Sequence, residues 1–233
     1  IPLKRLDTLT IASICIGEDG SDFQSTLSKY TKIDHFTIKE NPTDEEKGAI
    51  LSKLSEYNLV IVGIHKSNAS AWKSYKLSKK TDVFVQQIAV QSKVVISVFA
   101  SPYSINSFLF VNNFDALLMA YQNSEVAQQM CAQAIFGGIK INGTLPVSTK
   151  HFSLNTGFKT NKIRLGYSIP EEFGVNESDL YKIDSLANNA IQNKATPGCQ
   201  ILIAKKGQII FNKSYGYHTY QKKRKVKQTC LSS

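Results

Sequence analysis

The sequence predicts an α/β fold built on a mainly parallel sheet that is covered by helices on both faces. Residues 8–16, 59–64, 94–99 and 116–121 are predicted to be buried strands. The last two are continuous apolar runs of strand length that lack polar alternation, so we expect them to be fully buried. Residues 32–39 alternate and suit an edge strand. Each of the five strands is followed by a helix or a crossover connection, as parallel neighbours require.

Caps and apolar stripes place the helices of this first region. Thr43 and Glu46 have the spacing of a capping box, and Asn123 or Ser124 can cap a later helix that Gly137 ends in the left-handed conformation. The side chains expected to face the sheet are Phe23, Leu27 and Tyr30, then Ile50, Leu51, Leu54 and Tyr57, then Val83, Phe84, Gln87 and Ile88, then Val126, Ala127, Met130, Cys131, Ala134 and Ile135.

The composition limits the possible classes of protein. The chain has 233 residues, 42% of them hydrophobic, and a formal charge of +10, which suit a folded domain with a basic surface. No apolar run approaches the length of a membrane helix. The four cysteines have no metal-ligand spacing and are expected to be free thiols, so no metal site is predicted. Residues 17–20 carry two acidic side chains where a phosphate would need donors, and no cofactor is predicted.

The order of motifs in the first 150 residues resembles a known family. The stretches VVISVFASPYSI, FDALLMAYQNSEVAQQMCAQAIFGG and INGTLPVS are similar to the C-terminal domain of glycoside hydrolase family 3, especially its bacterial β-N-acetylglucosaminidase branch. The resemblance implies a flavodoxin-like three-layer sandwich with five or six strands in the order 2-1-3-4-5. It also implies a parent enzyme that removes terminal N-acetylglucosamine from peptidoglycan-type glycans, in the periplasm or outside a bacterial cell.

In that family the nucleophilic aspartate lies in an N-terminal barrel, and in this branch the proton donor does too. The resemblance therefore implies that the chain holds no catalytic residue and that its partner is the missing barrel domain. The adjacent carboxylates Asp44, Glu45 and Glu46 are better explained by helix capping than by catalysis.

The best-placed polar residues of the first region are His65, Lys66 and Ser67. They follow the buried run at 59–64 and so lie at the carboxyl end of the predicted sheet. Ligands of open parallel sheets usually bind at that edge, so these three residues are the candidate substrate contacts. A polar loop after a buried strand is equally explained by solvation of its backbone.

The last third of the chain has a different character. Residues 151–175 are predicted to be a linker, and residues 179–194 a helix whose apolar face is Leu180, Ile183, Leu186, Ala187, Ala190 and Ile191. Residues 199–204 and 208–213 are predicted to form a hairpin around Gly207, and its strand edges would suit pairing with a second copy of the chain.

This tail carries a second resemblance. The stretch TPGCQILIAKKGQIIFNKSYGYHTY is similar to the opening of serine β-lactamase and penicillin-binding-protein-like domains. Residues 176–233 would then be the truncated start of such a domain. Its Ser-x-x-Lys nucleophile motif is not supplied by Ser232 or Ser233.

A different class of function is a basic binding module for an acidic glycan or a nucleic acid. The candidate residues are Lys66, Trp72, Lys73 and Lys76, or the basic run from Lys222 to Lys227. A nucleic acid is the less favoured partner, because no helix-turn-helix or aromatic-lined single-strand motif accompanies these cations.

Overall fold

A computed structural model describes residues 1–69 and 75–227. The chain divides into two compact units, Ile1–Asn161 and Lys162–Cys230. Each unit has its own sheet. No helix among the described residues combines the length and the apolar character that a membrane crossing needs.

The first unit is built on a five-stranded sheet in which every neighbouring pair is parallel. The strands lie in the order β2-β1-β3-β4-β5, which confirms the predicted order and the α/β class. Their bounds are β1 Ile11–Gly17, β2 Asp34–Ile38, β3 Leu59–His65, β4 Lys93–Phe99 and β5 Ala116–Met119.

Among the described residues, three helices connect these strands and a fourth follows β5, and their caps follow the sequence. They are α1 Ser21–Leu27, α2 Asp44–Leu54, α3 Lys79–Gln91 and α4 Glu125–Phe136. Thr43 and Glu46 form the predicted capping box of α2, and Ser124 caps α4 by accepting a hydrogen bond from the Ala127 amide. Gly137 ends α4 at φ 75°, in the left-handed region where glycine carries no Cβ penalty.

The buried runs form the core, with one exception. Every residue of β3 is buried, as are six of the seven in β1 and in β4, because each of these strands has a neighbour on both sides. The run at 116–121 was expected to be fully buried and is not. β5 is the edge strand, only Leu118 in it is buried, and Tyr121 beyond it is exposed.

In two helices, fewer of the side chains predicted to pack on the sheet are buried than the apolar pattern indicates. In α4 the buried side chains include Cys131, Ala134 and Ile135, whereas Val126 and Met130 are exposed. In α3, Val85 is buried, and the predicted contacts Val83 and Gln87 are exposed. A helix seats only a narrow stripe on a sheet, so an apolar side chain beside that stripe stays in water.

The second unit is a three-stranded sheet with one long helix, α5 Glu177–Gln192. The strands are β6 Gly166–Tyr167, β7 Gly198–Lys205 and β8 Gln208–Gly216, in the order β6-β8-β7. The predicted hairpin is present, and its two-residue turn holds Lys206 at φ 49° and Gly207 at φ 77°, the signs of a type I′ turn. Leu180 and Ala187 of α5 are buried, but Leu186 is exposed, contrary to the sequence prediction.

The packing of α4 predicts unequal effects of two substitutions on one helix. Ile135→Asp should lower the free energy of unfolding by several kcal/mol, because Ile135 has no exposed surface and an unpaired carboxylate there loses its hydration. Met130→Asp is the matched control, since 42% of that side chain is exposed. Urea unfolding of both variants checks this. Equal midpoints for the two would mean that the face of α4 has been misassigned.

Candidate functional site

The switch point of the sheet lies between β1 and β3, where the chain connections turn to opposite sides. Open α/β sheets usually bind ligands in the crevice at this point. In this chain the hydrogen-bond ladder of the two strands extends past Gly17, because the Glu18 amide donates a hydrogen bond of 2.9 Å to the carbonyl oxygen of His65. A Cβ on Gly17 would lie only 2.4 Å from that oxygen, so the close approach requires glycine. The ends of β1 and β3 are therefore packed closely together.

The side chain of His65 is buried beside these strand ends. It has no exposed surface, and its ring stacks on Phe99 with the centroids 4.4 Å apart and meets the edge of Phe23. A Cβ on either Gly20 or Gly63 would come within 2.5 Å of His65 Nε2. The imidazole is thus enclosed by aromatic rings and glycine backbone.

A chain of hydrogen bonds assigns the tautomer of His65. The Phe23 amide must donate, so the Gln128 atom 3.0 Å from it is the acceptor Oε1. Gln128 Nε2 therefore donates to Asn123 Oδ1 at 2.8 Å. That oxygen is also 2.9 Å from His65 Nδ1, which must then be the protonated nitrogen.

This arrangement keeps His65 neutral. Burial lowers the pKa of His65 to about 4, and the hydrogen bond to Asn123 and the nearby Asp19 only partly oppose it. Nε2 is buried and has no hydrogen-bond partner among the described residues. A cation at this position would have no solvent and no counterion in contact, so we expect a packed, uncharged ring at neutral pH.

The neighbouring candidates have different surroundings. Lys66 is 8% exposed, and its Nζ lies 2.6 Å from Glu40 Oε1 in an ion pair. The backbone oxygen of Glu40 also accepts hydrogen bonds from Ser78 and Thr81 at the start of α3, so the pair is held in place. Ser67 is partly exposed, and its hydroxyl accepts a hydrogen bond from the Ala69 amide. Substrate contact by the three residues stays a prediction, and of the three Ser67 presents the most surface.

A cleft of about 630 Å³ opens on the other side of β1, at the carboxyl ends of β1 and β2. Its charged lining consists of Glu18, Asp19, Lys39 and Glu46. Asp19 accepts two hydrogen bonds from Ser21, and Glu46 accepts one from the Thr43 amide. Two of the three carboxylates in the cleft therefore serve local turns and caps.

The pKa shifts of the described carboxyl groups do not indicate a general acid. Every carboxyl group with a shifted pKa has it lowered, and for Glu46 the cause is the hydrogen bonding with Thr43. A general acid for glycoside hydrolysis needs the opposite shift. Burial raises the pKa of Cys15 and of Cys131 to about 12, so these free thiols are protonated.

The candidate residues of the alternative function, a basic module that binds an acidic glycan or a nucleic acid, lie only partly within the described residues. Trp72 and Lys73 lie outside the described residues, and Lys66 is already paired with Glu40. Lys76 is exposed, as is every cation of the run from Lys222 to Lys227. The second basic set thus presents its charges to solvent.

Sequence reasoning did not find the polar network around His65. Asn123 was considered only as a helix cap, and Gln128 was not singled out, although its side chain is 4% exposed on the core face of α4. A glutamine inside an apolar helical stripe is the signal that could have shown it, because a buried amide must find partners.

Comparison with known proteins supports the α/β fold. No protein-family model and no curated protein matches the sequence. Among solved structures, a glycoside hydrolase family 3 β-N-acetylglucosaminidase from Paenibacillus sp. str. FPU-7 aligns with 66% of this chain and 29% of its own, at 17% identity and a TM-score of 0.50. At that identity the likeness shows a shared fold, and this chain spans less than a third of that enzyme.

Two further structures align more weakly. One is a fungal multi-domain family 3 β-N-acetylglucosaminidase that has a glucosamine N-acetyltransferase region, at 18% identity and a TM-score of 0.49 over 85% of this chain and 21% of its own. The other is a β-glucosidase from Erythrobacter marinus, at 11% identity and a TM-score of 0.48 over 63% of this chain and 26% of its own.

The neutral His65 predicts a loss of stability in acid. Its pKa is about 4 in the folded state, against 6.5 for an unperturbed histidine, so the unfolded chain binds more protons between these values. The stabilisation is complete above pH 6.5 and is lost as the pH falls toward 4. The loss should be on the order of 3 kcal/mol and should be absent in His65→Gln. Unfolding at several pH values measures it, with exposed His218→Gln as the control. A wild-type pH dependence that His65→Gln leaves unchanged would contradict the assignment.

The enclosure of the His65 ring predicts that alanine substitutions at two glycines change the stability in opposite directions. Gly63→Ala should destabilise the first unit by roughly 1–3 kcal/mol, because the new methyl group would overlap the His65 ring. Gly48→Ala should stabilise it by roughly 0.5–1 kcal/mol, since Gly48 lies within α2 with open space around it. Thermal unfolding distinguishes the two. A neutral Gly63→Ala would show that the ring has room to move.

Proposed function

We propose that this chain is a non-catalytic C-terminal portion of a glycoside hydrolase family 3 β-N-acetylglucosaminidase. The observation that carries the proposal is the parallel sheet in the order β2-β1-β3-β4-β5, aligned over 66% of this chain with part of such an enzyme. The motifs at residues 94–105, 114–138 and 141–148, which resemble the same family, support it independently of the alignment.

The geometry of the first unit fits a role without chemistry. Glycosidases of the common type need an acid and a nucleophile or base on either side of the scissile bond. Here Asp19 accepts hydrogen bonds from Ser21, and Glu46 accepts one from the Thr43 amide, so both carboxylates are already engaged in a turn and a helix cap. In the proposed parent enzyme a barrel domain supplies both catalytic groups, and the substrate is a terminal N-acetylglucosamine of a peptidoglycan-type glycan in an extracytoplasmic compartment.

For the second unit we propose the start of a fused serine-hydrolase domain of the β-lactamase type. The support is the succession of helix α5 and the hairpin β7-β8, which follows the order of elements in the resemblance. β7 ends the sheet β6-β8-β7, so one edge of it lacks a partner strand among the described residues. Pairing of that edge with a second copy stays a prediction, which sedimentation of the full chain would decide.

The proposal predicts that the purified 233-residue chain does not hydrolyse 4-nitrophenyl N-acetyl-β-D-glucosaminide. The complete gene product, with its barrel, should hydrolyse it and should be found in the extracytoplasmic fraction. Release of nitrophenol by both proteins at equal concentration is the measurement. Turnover by the isolated chain that a single substitution in this chain abolishes would refute the non-catalytic role. Lack of turnover by the complete gene product would refute the family assignment.

A further inference from the structure

Charge is distributed very unevenly along the second unit. Asp184 is the last acidic residue of the sequence, and the 49 residues that follow it carry nine lysines and arginines and no aspartate or glutamate. Lys213 pairs with Asp184, and the other cations of this segment have no ion pair among the described residues, which produces a positive local potential. The second unit is therefore a candidate for binding a polyanion.

The densest part of this segment is a short hairpin, residues 217–227, which we call the basic loop. Tyr217 and Lys225 pair as an isolated antiparallel β-bridge. The His218 amide donates a hydrogen bond of 2.9 Å to the backbone oxygen of Arg224, and the Val226 amide donates one of 3.1 Å to the backbone oxygen of Gly216. The Lys222 amide donates to the Thr219 oxygen at 3.0 Å and closes the turn, with Lys222 at φ 55°. The backbone thus holds the cations in a fixed arrangement.

The cations of the basic loop are exposed, and no ion pair forms on them within residues 1–69 and 75–227. They are Lys222, Lys223, Arg224, Lys225 and Lys227. Like charges so close together repel one another, and an external polyanion relieves that repulsion while it releases its own counterions. The loop has the electrostatic character of a binding surface for a charged polymer.

One aromatic ring lies in the same surface. Tyr220 is 56% exposed, and its hydroxyl donates a hydrogen bond of 2.6 Å to the backbone oxygen of Lys194, just beyond α5. The bond fixes the ring and places the basic loop beside the end of α5, where Lys194 is also exposed. A fixed ring with an apolar face and surrounding cations suits a ligand that has both a flat apolar side and negative charges.

We infer that the basic loop binds an acidic polysaccharide, through its cations and the ring of Tyr220. The run contains four lysines and one arginine, and lysine attracts anions as a point charge without the paired geometry of arginine. Nucleic acid fits less well, because single-strand binding needs a row of stacking aromatics and groove reading needs a recognition helix or ribbon. The choice of a glycan rests on the proposed function.

The test measures binding by the full chain to three fluorescent probes. These are a heparin fragment as the acidic polysaccharide, a neutral dextran, and single-stranded oligodeoxythymidine with the same number of charges as the heparin. Heparin should bind most tightly, dextran should not bind, and the affinity for heparin should fall steeply with added salt. Replacing Lys222, Lys223, Arg224 and Lys225 by glutamine should weaken heparin binding roughly tenfold or more.

A matched control removes the same number of charges elsewhere, by glutamine at the exposed residues Lys53, Lys93, Lys140 and Lys159 of the first unit. It should keep most of the affinity if the basic loop is the site. Tyr220→Ala should weaken binding without changing its dependence on salt. Equal losses in the two lysine variants, or no binding of heparin, would overturn the inference. Tighter binding of the oligonucleotide than of heparin would overturn the glycan assignment and leave the proposed function untouched.

Discussion

The carbonyl oxygen of His65 accepts a hydrogen bond from the Glu18 amide, and the architecture of the carboxyl edge depends on this contact. It extends the pairing of β1 and β3 beyond Gly17 at the switch point of the sheet. The imidazole of the same residue fills the space beneath, between Phe23 and Phe99. Gly17 and Gly63 are required there because any side chain would collide with His65. The open cleft consequently lies on the other side of β1, toward β2.

Local signals explain which parts of the fold could be predicted from the sequence. Buried strands are encoded in continuous apolar runs, the start of α2 in the spacing of Thr43 and Glu46, and the β7-β8 turn in Gly207. The partial exposure of β5 was not predicted, because an apolar run contains no information on how many strands will pair with it. Met130 was placed in the core because helical periodicity fixes a face only to within about one residue position, and the sheet selects the final stripe.

The surroundings of the candidate site could not be predicted because they join residues distant in sequence. Asn123 is 58 positions from His65, and Gln128 reaches the Phe23 amide across 105 positions. No spacing rule links such residues, and only the assembled fold shows that His65 is enclosed. The prediction of a polar, ligand-facing loop rested on strand topology, which correctly located Lys66 and Ser67 at the carboxyl edge but carries no information on burial.

The two units have different physical characters. The first is a packed parallel sheet in which His65 is held neutral and Lys66, Asp19 and Glu46 are engaged by partners, as suits a supporting domain. The second carries an uncompensated positive charge on an ordered loop, as suits attachment to an anionic polymer. In the proposed parent enzyme, attachment of the second unit to a glycan would raise the local concentration of substrate around the catalytic domain.

The central claim is that the strand ends of the first unit formed by Gly17, Glu18 and His65 are packed together and bind no ligand. It is tested most directly by titrating the ¹⁵N-labelled chain with N-acetylglucosamine and following its backbone amide resonances. The account predicts that the amides of Gly17, Glu18 and His65 keep their chemical shifts throughout the titration, because the Glu18 amide is bonded to His65 and no ligand enters between the strands. Saturable shifts at these three amides would contradict it.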